Sequence, residues 1–238
     1  MESVATVPTV GQLTLGVDIG QKVDPTAICL AEAVERNGET HFLIRHLERL
    51  DLGTAYPLVT KRLEAIVAGI RRRLLDHRVA YESAVGRWEA RGDPMDEAGV
   101  RMFVDATGVG LPVCDVLAAA GVPVVPTYFT HGDRRTEEIG QVRLGKAWLV
   151  SRLKTLAQTN RLHLPTTSDA EAMRRELMDY EIRVDENAND RYGAFKVGAH
   201  DDLVTAVGLA VQTDRRPSWS DYDPDNHFAS FLCEAGVA

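Results

Sequence analysis

The chain has 238 residues, of which 45% are hydrophobic and 26% charged, a balance typical of a soluble globular protein with one large or two small domains. Its net charge of −8 excludes a uniformly basic nucleic-acid-binding domain, although basic residues concentrate locally in 61–78 and 134–161. No apolar run approaches the roughly 18 residues that span a bilayer, and no secretory signal is recognisable. The 3 cysteines are widely spaced and indicate neither a zinc site nor a disulfide framework.

The first half of the chain predicts three antiparallel strands and then a long helix. Residues 1–12 have no periodicity and read as an N-terminal arm. Apolar or alternating runs predict strands over 13–18, 25–34 and 41–50. The last two strands flank Asn37-Gly38, a pair that favours a tight hairpin turn. Apolar residues at helical spacing then predict an amphipathic helix from Pro57 to about His77, whereas residues 79–99 have no pattern that assigns them.

Strands and helices alternate in the next part of the chain. Residues 101–105 predict a strand, and 111–120 predict a helix that Gly121 ends. A strand over 122–129 contains Pro123 and Pro126, which favour a place toward the edge of a sheet. After a predicted loop, 141–160 shows the spacing of an amphipathic helix.

The remaining residues predict a short extended segment, two helices and a hairpin. Ser168 is the predicted cap of a helix that ends near Asp179, with Glu171 in the position of a capping box. The further predicted elements are an extended segment over 161–164, a hairpin of 180–184 and 192–197, and an apolar, buried helix over 201–212. The order of elements predicts an α/β fold, with a mixed sheet and helices on its faces, in one domain over 13–213. Residues 214–238 read as a tail that is flexible or docks a partner.

Acidic residues follow the predicted strands at two separate places and open the last helix at a third. Asp18 and Asp105 each end an apolar strand before a glycine turn, and Asp201 and Asp202 open the buried helix. Strand ends of one sheet can present such acids at one edge. Mg²⁺ and Mn²⁺ prefer oxygen ligands, and two ions can clamp the oxygens of a phosphoryl displacement. The pattern therefore predicts a two-metal nuclease, although a capping aspartate at 201 or 202 and a turn aspartate at 18 or 24 are ordinary alternatives.

Three motifs resemble the nuclease domain of phage terminase large subunits, an RNase H-like fold. They are GVDIGxxxDPTA (16–27), VDATGVG (104–110) and AHDDLVTA (199–206), with a further likeness over 141–165. The resemblance covers roughly 13–212. It implies a phage-encoded, soluble enzyme of the host cytoplasm that cuts concatemeric double-stranded viral DNA during packaging. It also implies an ATPase motor domain, a portal and a small terminase subunit as partners, and no such motor domain is recognisable in this chain.

The resemblance also implies roles for individual residues. Asp18 would bridge two Mg²⁺ or Mn²⁺ ions, Asp105 would bind one, the Asp201/Asp202 pair would bind the other, and Asp24 would be an auxiliary ligand. Basic side chains that could contact the DNA backbone are Arg143, Lys146, Arg152, Lys154, Lys196 and His200, although Lys196 and His200 are also compatible with ordinary surface positions.

A P-loop is excluded: residues 140–147 (GQVRLGKA) nearly match one, but the final Ser or Thr is absent and the stretch has the pattern of a helix.

Three other readings of the sequence remain open. A Holliday-junction resolvase of the same fold would use similar acids on branched DNA. A sugar-kinase or actin-like ATPase fragment also carries an Asp-x-Gly after its first strand, as in Asp18-Ile19-Gly20. A non-catalytic DNA-binding or packaging module would need none of these acids.

Overall fold

The computed structural model describes residues 11–85, 100–138, 140–184, 190–193 and 200–212, without side-chain detail for 77–85, 181–184 and 190–193. Within these ranges the chain forms ten strands and five helices. The strands are β1 (Gln12–Asp18), β2 (Ala27–Arg36), β3 (Glu39–Arg49), β4 (Arg101–Asp105), β5 (Val124–Thr130), β6 (Arg135–Glu138), β7 (Gln141–Gly145), β8 (Leu162–His163), β9 (Glu181–Val184) and β10 (Asp190–Gly193). The helices are α1 (Tyr56–Val85), α2 (Gly110–Ala119), α3 (Lys146–Gln158), α4 (Ser168–Asp179) and α5 (Asp202–Ala210).

Eight strands form one mixed sheet in the order β6-β7-β5-β4-β1-β2-β3-β8, and β9 pairs with β10 separately. β1, β2 and β3 are an antiparallel meander. Its β2–β3 turn places Asn37 and Gly38 at φ 53° and 77°, the left-handed values that favour this residue pair. β1, β4, β5 and β7 are neighbours that run parallel, so their carboxyl ends lie at one edge of the sheet.

The sheet separates two apolar layers. On one face, α1 and α2 cover Leu15 and Val17 of β1. On the other face, α3, α4 and α5 cover the alternate strand positions, including Phe103 of β4. All nine residues of α5 are buried, as the apolar sequence of this helix predicts. The predicted α/β class, with a mixed sheet, an antiparallel meander and helices on both faces, is confirmed.

Gly16 lets α5 lie directly against β1. A Cβ at this position would come within 2.1 Å of the Ala206 carbonyl oxygen and 2.3 Å of the Ala210 nitrogen. Only a residue without a side chain allows this approach of helix backbone to strand backbone. The close crossing carries the first residues of α5 to the carboxyl end of β1.

The predicted helix over 141–160 is wrong in its first turn and a half. Gln141–Gly145 is strand β7, in which Val142 and Leu144 are buried and Arg143 is exposed, and the helix begins at Lys146. Pairing with β5 on one side and β6 on the other satisfies the backbone of this segment, which the local apolar spacing could not indicate. β6 lies where a loop was predicted. The near match to a P-loop is therefore a strand followed directly by a helix.

β5 is an interior strand, which contradicts the predicted place toward an edge. It lies between β4 and β7. The pairing of β5 with β7 begins only at Thr127, one residue after Pro126, so the missing N–H of Pro126 interrupts no bond within that ladder.

The remaining differences are shifts of element ends. Helix α1 continues to Val85, beyond the predicted end near His77. Thr167, rather than Ser168, caps α4, because its hydroxyl accepts a hydrogen bond from the Ala170 N–H at 3.2 Å. The second strand of the late hairpin is Asp190–Gly193, and residues 194–197 of the strand predicted over 192–197 lie outside the described residues. The predicted tail and most of the predicted arm lie outside the described residues. None of the described helices is long and apolar enough to cross a membrane.

Candidate functional site

Asp18 and Asp105 lie side by side at the carboxyl edge of the sheet. β1 and β4 are parallel, and the last register pair is Val17 with Val104, so the next residue of each strand is an aspartate. Alternation along the strands places both aspartates on the same face as Gly16 and Phe103, the face that α5 covers. The sheet therefore brings together two acids that are 87 positions apart in the sequence.

The turn after β4 fixes the Asp105 carboxylate. Its Oδ1 accepts the Thr107 backbone N–H at 2.8 Å, and the Thr107 hydroxyl accepts the Phe129 N–H at 2.9 Å. Gly110 begins α2 so close to this turn that a Cβ there would lie 1.7 Å from the Asp105 carbonyl oxygen. Burial raises the pKa of Asp105, and the hydrogen bonds from Thr107 oppose that rise.

Asp18 has no such support. Within the described part of the chain, no hydrogen bond or ion pair engages its carboxylate. Burial raises the pKa of Asp18 well above its usual range, and the neighbouring charge of Asp105 raises it further. Lys146 is the cation that lowers it. A partly buried carboxylate among other acids needs a compensating positive charge, from a side chain or from a bound cation.

Asp201 and Lys146 complete this group of charges. Asp201 occupies the N-cap position of α5, yet its side chain makes no capping hydrogen bond. Its Oδ2 lies 3.6 Å from Lys146 Nζ, and 27% of its side chain is exposed. Lys146 is the first residue of α3, directly after β7, the next strand but one from β4 in the parallel part of the sheet. Strand β7, at 141–145, therefore places Lys146 at this edge.

Asp202 is held in a different way from its neighbour. It is 1% exposed, and Arg49 at the end of β3 donates to both of its oxygens, from Nε at 2.6 Å and from Nη2 at 3.2 Å. Arg49 also donates to Glu176 of α4, and the Val204 N–H donates to Glu176 Oε2 at 3.3 Å. Burial raises the pKa of Glu176 to about 7, against the opposing effect of Arg49. We call Arg49, Glu176 and Asp202 the Arg49 cluster.

The sequence pattern did not identify Arg49 or Glu176. A charged side chain at the start of an apolar helix requires a partner, and the sequence indicates this requirement at Asp202. The partner itself comes from β3, 153 positions earlier, and only the fold identifies it.

Asp24 lies at the exposed rim of the site. Its Oδ1 is 3.4 Å from His200 Nδ1, and the same nitrogen is 3.9 Å from Asp202 Oδ1. The turn that carries Asp24 is tied at Gly20, whose N–H donates to the Thr26 hydroxyl at 3.1 Å while that hydroxyl donates to the Gly20 carbonyl at 2.9 Å. His200 thus links Asp24 to the other acids.

The other basic candidates lie in three different settings. Arg152 donates to the Val211 carbonyl at 2.9 Å and its guanidinium packs over Trp148, so it joins α3 to the end of α5. Lys154 is exposed further along α3. Arg143 is exposed on β7 and lines an open groove of about 290 Å³ with Tyr128, Thr130 and Gln141. Lys196 lies outside the described residues.

The carboxylate oxygens of this site are the type of ligand that a hard divalent cation binds, although two of the acids are paired with basic side chains. As they stand, no three Asp, Glu, His or Cys side chains within the described ranges are grouped to hold one metal ion. Lys146 engages Asp201 and Arg49 engages Asp202. Asp18, Asp105 and Asp201 nevertheless offer carboxylate oxygens, which Mg²⁺ and Mn²⁺ prefer, and among the described residues no hydrogen bond or ion pair engages Asp18.

Comparison with solved structures identifies the fold. The chain is similar to the large terminase nuclease from thermophilic phage G20c, with a TM-score of 0.50 and 19% identity over 83% of this chain and 80% of that one. A structure of the G20c nuclease with bound magnesium gives a TM-score of 0.47 at 19% identity, covering 83% of this chain and 79% of that one. The nuclease domain of the bacteriophage SPP1 large terminase, solved with bound Mn, gives 0.44 at 14% identity, with coverages of 88% and 90%.

The sequence matches no protein-family model and no curated protein. At 19% identity the likeness to the G20c nuclease establishes the fold, and the predicted terminase-nuclease, RNase H-like fold is confirmed at that level.

Proposed function

We propose that this chain is a metal-dependent endonuclease that cuts concatemeric double-stranded viral DNA during genome packaging, with two Mg²⁺ or Mn²⁺ ions. The observation that supports the proposal is the convergence of Asp18, Asp105 and Asp201, from β1, β4 and the start of α5, at one edge of the sheet. The fold that carries them is shared with a phage terminase nuclease.

Each carboxylate has a role that its setting supports. The charges of Asp105, Lys146 and Asp201 all act on Asp18, and no hydrogen bond or ion pair engages its carboxylate among the described residues, so Asp18 is the proposed bridging ligand. Asp105 is oriented by the Thr107 N–H and would hold one ion, while Asp201 would hold the other. Asp24, at the rim beside His200, is the auxiliary ligand. When bound, such ions lower the pKa of water and offset the negative charge of the phosphate.

Lys146 and His200 are the proposed phosphate contacts. Lys146 Nζ lies 3.6 Å from Asp201 Oδ2, and if Asp201 held a divalent ion, the Lys146 ammonium would be available to a phosphate oxygen. His200 lies beside Asp24 at the exposed rim of the site. Arg143 and Lys154 are exposed and could contact the DNA backbone outside the centre, whereas Arg152 is engaged by the protein itself.

The acidic net charge requires help from partners. A chain with a charge of −8 repels DNA at long range, so we expect an ATPase motor domain to supply most of the binding to double-stranded DNA. The proposed packaging complex also contains a portal and a small terminase subunit. Cutting of concatemers would take place in the host cytoplasm. Isolated activity should consequently be weak and should fall steeply with salt.

The deciding experiment is cleavage of supercoiled plasmid with Mg²⁺ or Mn²⁺. We expect nicked and linear products from the wild type and none from Asp18→Asn or Asp105→Asn. The matched control is Asp115→Asn, which removes an exposed acid from α2 and should cut like the wild type. A wild type that leaves DNA intact with both metals, or aspartate variants that cut normally, would refute the assignment. Preference for a four-way junction over linear duplex would instead favour the resolvase alternative.

A further inference from the structure

We infer that Asp202 is a positioning residue and not a metal ligand, and that Asp201 supplies the third carboxylate of the centre. The inference rests on the proposed function and divides the two neighbouring acids between two tasks. Asp202, through the Arg49 cluster, anchors the first turn of α5. Asp201, one residue earlier, is thereby held facing Asp18.

Both carboxylate oxygens of Asp202 are already engaged by the protein. Arg49 makes a two-bonded fork with this carboxylate, at 2.6 Å to Oδ2 and 3.2 Å to Oδ1. Such charge-assisted pairs combine strength with a fixed geometry. The carboxylate is also 1% exposed. Withdrawing it toward a metal would leave Arg49 without its principal partner in a partly buried position, which is costly.

The Arg49 cluster also joins three elements of the fold. Arg49 ends β3, Glu176 belongs to α4, and Asp202 opens α5. Glu176 accepts the Val204 N–H, one of the first-turn donors of α5 that have no partner within the helix. Asp169 at the start of α4 accepts the Arg49 backbone N–H at 3.4 Å. The first turn of α5 is therefore fixed from the meander and from α4 at once.

Asp201 differs from Asp202 in its bonding and in its exposure. Its side chain makes no capping bond to α5 and is 27% exposed. Its ionic partner, Lys146, is 3.6 Å away, longer than a strong charge-assisted hydrogen bond. A divalent cation can replace this ammonium without leaving a buried charge unpaired, since Lys146 is 31% exposed. Of the two neighbouring acids, Asp201 is the one that is free to bind an ion.

The test measures metal binding and cleavage separately on the 238-residue chain, with Mn²⁺ binding followed by the electron paramagnetic resonance of the free ion. We expect Asp201→Asn to weaken Mn²⁺ binding by about tenfold or more, the range of a lost metal-site group, and to leave the urea unfolding midpoint unchanged. We expect Asp202→Asn to lower the unfolding midpoint, to bind Mn²⁺ within about threefold of the wild type, and to cut plasmid at least about tenfold more slowly at saturating Mn²⁺.

That split between affinity and rate is the signature of positioning, because neither a lost ligand nor a smaller folded fraction produces it. Arg49→Lys should show the same split, since an ammonium cannot reproduce the two-bonded fork. If Asp202→Asn does not fold, Glu176→Gln carries the test, because it leaves both aspartates in place and is expected to combine wild-type Mn²⁺ affinity with slower cleavage.

Two results would overturn the inference. One is a tenfold or greater loss of Mn²⁺ affinity in Asp202→Asn or Glu176→Gln while Asp201→Asn binds normally. The other is wild-type cleavage by Asp202→Asn, which would show that the cluster positions nothing. If the wild type binds Mn²⁺ but cuts no DNA, the proposed function fails, and the binding measurements still decide between Asp201 and Asp202.

Discussion

The crossing of α5 over β1 makes the candidate centre sensitive to a single methyl group at Gly16. An alanine Cβ would lie 2.1 Å from the Ala206 carbonyl oxygen, whereas a carbon normally keeps about 3.3–3.6 Å from such an oxygen. The atoms that this Cβ would meet, the Ala206 oxygen and the Ala210 nitrogen, both belong to the backbone of α5. The helix must therefore move away from β1 by roughly 1 Å, which carries Asp201 away from Asp18. We expect Gly16→Ala to lower the free energy of unfolding by about 1–3 kcal/mol. A displacement of this size should lower cleavage by about 100-fold.

Urea unfolding and plasmid cleavage at saturating Mn²⁺ measure the two effects separately. The matched control is Gly38→Ala in the β2–β3 turn, where φ is 77° and no atom of the described residues lies within 4 Å of the added Cβ. The left-handed backbone should lower the free energy of unfolding of this variant by a similar ~1–2 kcal/mol. Gly38 lies at the opposite end of β2 from the acids. We therefore expect the control to cut DNA like the wild type. Equal cleavage by both variants, or a Gly16→Ala protein of wild-type stability, would refute the packing argument.

Three further predictions concern a cap, a cation and an ion pair. Thr167→Ala should lower the free energy of unfolding by about 1 kcal/mol in urea, through loss of the α4 cap, and leave the cleavage rate unchanged. Lys146→Gln should slow plasmid cleavage by at least about tenfold without loss of Mn²⁺ binding, and weaker binding in this variant would contradict its assignment as a phosphate contact. Burial raises the pKa of Glu48, but the nearby His46 ring, at 3.3 Å, and two hydrogen bonds from Arg62 outweigh it and hold that pKa below its usual value. Glu48 therefore stabilises the fold at pH values above the pKa of a free glutamate, about 4.3. The difference in unfolding free energy between the wild type and Glu48→Gln should vanish as the pH falls through the lowered pKa. Urea titrations at neutral and acid pH would measure this difference.

The sequence by itself determined the elements whose signals are local. The meander, its Asn37-Gly38 turn and the buried helix at 202–210 follow from alternation, turn chemistry and apolar spacing, and the structure confirms them. The placement of Asp18 and Asp105 at strand ends was also predictable, because a strand end is a local feature. Their role in metal binding stays a proposal.

Local spacing was misleading where tertiary pairing overrode it. The segment at 141–145 has the apolar spacing of a helix, yet β5 and β6 pair with it on either side and make it a strand. Pro126 predicted that its strand, β5, lies at an edge of the sheet. The pairing of β5 with β7 begins one residue later, however, and β5 lies inside the sheet. Both outcomes depend on partners that are distant in sequence and leave no local trace.

What tertiary structure decided was the identity of the partners around each acid. The sequence presents Asp201 and Asp202 as equivalent neighbours, and no local rule separates them. Arg49 reaches Asp202 because β3 ends beside the start of α5, and Lys146 reaches Asp201 because β7 delivers the first residue of α3 to the same edge. Asp201 is the N-cap residue and Asp202 the first residue of α5, and at this start of the helix one carboxylate points into the protein while the other stays partly exposed. The difference between a buried anchor and an available ligand is thus set by direction and distance, which only the folded chain defines.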